Sequence, residues 1–156
     1  IIDLLSENNY TYDSSVMPAK TNMYGLPDAE IRPYRISSDS IERNNPNGKL
    51  LEFPLLTTKI FGKKIPAAGG FYLRALPTSM ISNAIKNYEK VGIPASFYIH
   101  SWELTPELMP RISMPIKDRF ITYHNIEKAF SKMNEILKLF DFTSFEKYMS
   151  QYELNS

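Results

Sequence analysis

The sequence predicts an α/β fold, and three observations carry that expectation. Met80, Ile81, Ala84, Ile85 and Tyr88 recur at helical spacing. A compact β-prone run, Ala95-Ser96-Phe97-Tyr98-Ile99, follows and stops at the polar tip His100-Ser101-Trp102-Glu103. A second apolar helical face, running from Ile126 through Ala129, Phe130, Met133, Ile136 and Leu137 to Phe140, comes after a proline-rich loop. Helix, buried strand and polar tip are the parts of a βα unit.

From the amino end, Ile1 to Glu7 reads as the end of an amphipathic helix, stopped by Asn8-Asn9 because Asn tolerates the left-handed conformation. With no initiator Met and no polar lead-in, this opening is expected to be a piece of something longer. Tyr10 to Asp13 reads as a short strand. From Pro18 to Lys49 turn formers dominate, including Pro27, Pro33 and the run Asn44-Asn45-Pro46-Asn47-Gly48, so an irregular surface excursion is expected. Leu50 to Leu55 is a strand candidate that Pro54 assigns to a sheet edge, and Thr57 to Phe61 a second, turned at Gly62-Lys63-Lys64. Pro77-Thr78-Ser79 starts the first main helix, and Gly92 with Pro94 ends it. Asn125 is positioned to cap the second, and a last short helix is expected around Phe145 to Met149. No internal repeat or low-complexity tract is present.

Composition narrows the functional classes. The 18 Lys plus Arg against 17 Asp plus Glu leave a net charge of +1, without the basic footprint of a nucleic-acid binder. With 43% hydrophobic residues the 156-residue chain can bury a core, which disorder could not supply. No apolar run approaches the ~20 residues of a membrane span, and no signal-peptide pattern stands out. The absence of Cys excludes disulfides, thiolate zinc sites and cysteine nucleophiles. It assigns no compartment, so cytoplasmic and cell-envelope-associated locations both stay open. Only two His occur, His100 and His124, too far apart for a paired-imidazole metal motif.

His100 is the sharpest candidate for chemistry, because a strand that delivers an imidazole to its C-terminal end puts it where α/β barrels build active sites. The alternative is a structural His bonded to a backbone carbonyl at a strand end, and spacing alone does not separate the two. Trp102 offers a flat face to a sugar and Glu103 a carboxylate, or else a plug and a surface charge. Asp13 follows a short strand and could orient an imidazole, or merely form an Asx-turn. Gly69-Gly70 suits close backbone approach ahead of Phe71-Tyr72-Leu73-Arg74, where Arg74 could hold an anion or a carboxylate. His124, just before the Asn125 cap, is expected to be structural.

Five segments occur in a recognisable order: Tyr12-Asp13-Ser14-Ser15-Val16-Met17-Pro18, Tyr24-Gly25-Leu26-Pro27-Asp28-Ala29, Leu51-Glu52-Phe53-Pro54, Gly69-Gly70-Phe71-Tyr72-Leu73-Arg74-Ala75-Leu76-Pro77 and Phe97-Tyr98-Ile99-His100-Ser101-Trp102-Glu103. The series resembles the C-terminal half of the polysaccharide deacetylases, in particular the exopolysaccharide-linked subfamily with an added C-terminal domain. The resemblance implies the C-terminal portion of a distorted βα barrel plus a small appended α/β region ending in helices. Residues 1–17 would be a late-barrel segment, 18–78 a long loop with inserted strands, 79–103 the barrel helix and strand carrying the His motif, and 104–156 the appended helical region.

For function, the resemblance implies a metal-dependent N-deacetylase acting on an N-acetylated polysaccharide. His100 would be its general acid, with Asp13 supporting it and Trp102, Glu103, Arg74 and Tyr72 touching substrate. The family's metal ligands, paired Asp and His-x-x-x-His, all precede the position of Ile1. No cofactor is therefore expected in this chain, although a divalent metal, zinc by expectation, is implied for the complete enzyme. The same reasoning makes the chain inactive alone, and implies contact with the missing N-terminal half of the barrel or self-association. The rival expectations are a non-catalytic carbohydrate- or protein-binding module and a purely architectural cap.

Overall fold

A computed structural model describes residues 1–21 and 24–153. Helix α1 (Ile2–Glu7) ends at Asn8-Asn9, where Asn9 takes a φ of 63°. Three short strands follow, β1 (Tyr12–Asp13), β2 (Tyr34–Ile36) and β3 (Leu50–Glu52). They form one sheet in the order β1-β3-β2, with β1 parallel and β2 antiparallel to β3. Strands β4 (Thr57–Ile60) and β5 (Lys63–Pro66) form a separate hairpin. Its two-residue turn, Phe61-Gly62, has positive φ at both positions, which matches the twist of the flanking strands.

The second half is helical. It comprises α2 (Gly70–Ala75), α3 (Thr78–Glu89), α4 (Ser101–Leu104), α5 (Ile116–Tyr123), α6 (Ala129–Leu139) and α7 (Phe145–Glu153), with 3-10 turns at Pro106–Leu108 and Ile126–Lys128. The main core gathers Met17, Leu56, Ala67, Leu73, Ile81 and Ile136 from widely separated stretches. A second, smaller cluster of Tyr34, Ile36 and Leu50 is covered by Ile2 and Leu5 of α1, which explains the apolar spacing of that first helix.

The fold is therefore mixed α/β, with small sheets and several helices; no closed barrel forms among the described residues. Helix α3 lies where its periodicity places it, with Ile81, Ala84, Ile85 and Tyr88 buried and Gly92 left-handed just beyond its end.

Four local expectations change. The Leu50 to Leu55 strand is central, not at an edge, because its ladder ends at Glu52 before Pro54 is reached. The strand expected at Ala95 to Ile99 shrinks to one bridge between Ser96 and Leu55, with no further ladder partner among the described residues. Lys63 and Lys64 belong to β5 and not to the turn. The second main helix starts as a 3-10 turn and becomes α-helical only at Ala129. Asn125 is itself left-handed (φ 49°) and makes no side-chain cap, while Phe130 and Leu137 are exposed.

The Pro18 to Lys49 excursion is also more ordered than its turn formers suggest. Ala19, Ala29, Tyr34 and Ile36 are buried, and the Tyr34 hydroxyl donates to the Ile41 carbonyl. A three-residue strand flanked by turns is too short to give a periodic signal. Backbone amides of β2 should exchange as slowly as those of β3, while the exposed segment 38–43 exchanges fast; uniformly fast exchange across 34–43 would mean that β2 is not held in the sheet.

Candidate functional site

The site is built outward from a buried ion pair. Arg74 on α2 and Glu103 on α4 meet at 2.9 Å, both almost fully buried. The guanidinium donates from Nε and Nη2 to one carboxylate oxygen, and its remaining donors reach the carbonyls of Ile121, Thr122 and His124. Those carbonyls close α5, so Arg74 satisfies a helix C-terminus with positive charge. The second Glu103 oxygen accepts the backbone N–H of His100 at 3.1 Å, as the N3 acid of a capping box does. Lys132 likewise donates to the carbonyls of Leu73, Arg74 and Leu76 at the end of α2, and burial lowers its pKa.

The two glycines make this packing possible. A Cβ on Gly70 would lie 1.7 Å from the Glu103 carboxylate, and one on Gly69, already at φ 91°, 2.7 Å from the Tyr98 ring. Close approach at Gly69-Gly70 is what the sequence predicts. Its target is an internal carboxylate and a tyrosine.

Above this base opens a cleft of about 830 Å³. Its walls are aromatic, formed by Tyr24, Phe71, Tyr72, Tyr98, Trp102 and Phe120. His100 stands among them, exposed, with its ring stacked on Trp102 (5.8 Å between centroids, 11° between planes) and edge-on to Tyr98 at 5.5 Å. His100 is the N-cap of α4, and in the capping box its side chain faces the Glu103 backbone N–H without closing a cap hydrogen bond. The Tyr24 and Tyr98 hydroxyls lie 3.3 Å apart. Burial pushes the Tyr72 and Tyr98 hydroxyls above the usual phenol range, so both stay protonated at neutral pH.

Among the candidate residues, His100, Trp102, Tyr72, Arg74 and Glu103 all line this one cleft. Arg74 and Glu103 do so from below, with their charged groups spent on each other and on backbone. Asp13 lines neither this cleft nor a smaller cavity of about 350 Å³ beside Phe145. It accepts from the Ser15 hydroxyl at 2.7 Å and sits beside Glu52. His124 is structural in its contacts, tilted against Phe120 at 4.6 Å and with Nε2 3.0 Å from Asn125 Nδ2.

A family model described as a domain of unknown function, DUF3473, matches residues 14–150. The chain belongs to the DUF3473 family. No curated protein and no solved structure matches it. Among the described residues of this DUF3473 chain no helix is long and apolar enough to cross a membrane. No three His, Asp or Glu side chains among them gather to hold a metal ion.

Sequence reasoning about the DUF3473 chain overlooks two sets of groups. Tyr24, Tyr98, Phe120, Lys20 and Lys117 come to the cleft from separate segments, and only the demand for a small residue at Gly69 hints at Tyr98. Glu52 is the other. It is fully buried on β3, accepts the N–H of Val16 at 3.0 Å, and is pushed up to about 8, first by burial and then by the neighbouring Asp13 charge. Its folded-state pKa thus lies above its unfolded value, so the stability its protonated form contributes is complete below about 4.5 and is lost as pH rises to about 8. The urea midpoint should fall between these limits, and Glu52→Gln should flatten the curve. Parallel curves for the two proteins would show that Glu52 is ionised throughout.

Proposed function

We propose that this DUF3473 domain is the glycan-holding C-terminal part of a metal-dependent polysaccharide N-deacetylase, and that His100 is its proton donor. The observation that carries the reading is the solvent-exposed imidazole in an aromatic cleft. His100 donates to no backbone carbonyl, and although it is the N-cap of α4 its side chain closes no cap hydrogen bond. Its ring is exposed and lines the cleft, while Trp102, Tyr72 and Tyr98 offer the flat faces on which sugar rings stack. The ordered motifs from Tyr12 to Glu103 and family membership over residues 14–150 add support, since DUF3473 domains are known at the C-terminus of polysaccharide deacetylases.

In this reading the imidazolium gives its proton to the departing nitrogen as the amide C–N bond breaks, leaving a free amine on the sugar and acetate. Glu103 positions the donor by holding the His100 backbone, and Arg74 keeps Glu103 in place. Asp13, engaged by Ser15 and beside Glu52, takes no part in that transfer. Activation of the attacking water falls to residues outside this chain. Acetate release from an N-acetylated oligosaccharide by the full-length protein, with and without His100, is the test. Glycan binding that persists without any acetate release in the wild type would instead favour a non-catalytic carbohydrate module.

A further inference from the structure

The charge left in the cleft names a substrate class. Apart from tyrosines, its ionisable lining residues are Lys20, Arg74, His100, Glu103 and Lys117. Arg74 and Glu103 neutralise each other below the surface. The tyrosine hydroxyls Tyr72 and Tyr98 stay neutral. What remains is two exposed ammonium groups and one imidazole, with no carboxylate facing them across the walls. Neither lysine has an acidic side chain within 4 Å among the described residues, where Arg74–Glu103 is the one ion pair. The whole chain carries only +1, so a surplus of two in one cleft is local and not a background of basic residues.

We propose that the cleft takes an acidic glycan, in which N-acetylated sugars neighbour carboxylate-bearing ones, and that Lys20 and Lys117 select it. The proposal rests on the cleft being a glycan groove. A neutral sugar chain is held by ring stacking and hydroxyl hydrogen bonds, to which an ammonium group adds a donor but no charge attraction. A polyanion, by contrast, is drawn in by the local field and gains a contact at each lysine. A nucleic acid is the less suited polyanion, because two lysines in a chain of net charge +1 make no basic track along a phosphate backbone.

The test uses the full-length protein and two hexasaccharides that share N-acetylglucosamine, a hyaluronan hexamer with alternating uronic acid and neutral chitohexaose. Calorimetric titration at low salt should show the acidic hexamer bound roughly 3- to 30-fold more tightly, the range expected for two solvent-screened contacts. High salt should erase the difference. Lys20→Gln with Lys117→Gln should erase it too, by lowering affinity for the hyaluronan hexamer far more than for chitohexaose. Equal affinity for the two sugars, or a preference that survives both substitutions, overturns the proposal while binding that depends on Trp102 keeps the groove. Failure to bind either sugar overturns both readings. A single-stranded oligodeoxynucleotide bound more tightly than the hyaluronan hexamer overturns it in favour of nucleic acid.

Discussion

Replacing His100 by alanine in the full-length protein is expected to slow acetate release by roughly 10²–10⁴-fold, the usual contribution of a positioned general acid. The loss should appear in kcat, because a proton donor acts on the departing nitrogen and contributes little to holding the sugar. Stability should change little, since the ring is exposed and closes no cap hydrogen bond on α4. Its ring contacts with Trp102 and Tyr98 are the packing given up. His124→Ala makes the matched control. That ring touches Phe120 and the Asn125 side chain, so its removal should lower the melting temperature more than the rate. Metal content, measured alongside, should be the same in all three proteins. Unimpaired turnover in the His100 variant would remove the residue from the mechanism.

Local signals in this chain were readable where one element buries one face. Helix α3 is the clearest case, because its apolar spacing, proline start and Gly92 stop agree with one another. The strands were harder. Each of β1, β2 and β3 has two or three residues, so alternation never accumulates, and the sheet order depends on which distant segments meet. Pro54 misled for a related reason: it limits only its own position, and pairing on β3 stops one residue before Phe53. Phe130 and Leu137 fit a helical stripe on paper, yet the stripe is wider than the surface that α6 has to cover.

The site was half legible. His100 and Trp102 are adjacent enough in sequence to be read as a unit, and their stacking follows. Arg74 is legible as a holder of some carboxylate and Glu103 as a carboxylate or a surface charge, but not as each other's partner, because 29 residues separate them. Two weak signs pointed to their union. Glu103 stands three residues after the residue before α4, where a capping-box acid belongs. Gly70 is the residue that leaves room for a carboxylate.

That pair carries the largest stability effect expected in the chain. Removing the carboxylate with Glu103→Ala leaves the Arg74 guanidinium buried without its counter-charge, and frees the His100 N–H from its acceptor. Breaking one side of a buried ion pair costs about 3–5 kcal/mol. Glu103→Gln should cost less, because the amide oxygen still accepts from Arg74. Replacing both residues, as in Arg74→Met with Glu103→Leu, removes the unpaired charge and should recover part of the loss. Recovery cannot be full, since the carbonyls of Ile121, Thr122 and His124 then lose their donor at the end of α5. Urea denaturation of Arg74→Met, Glu103→Leu and the double variant gives the coupling directly. If Glu103→Ala costs under about 1 kcal/mol, the expectation from breaking a buried pair fails. The pair would then be solvated, and Glu103 would be available to a ligand in the cleft. A large loss with a favourable coupling fixes it instead as the base on which His100 is held.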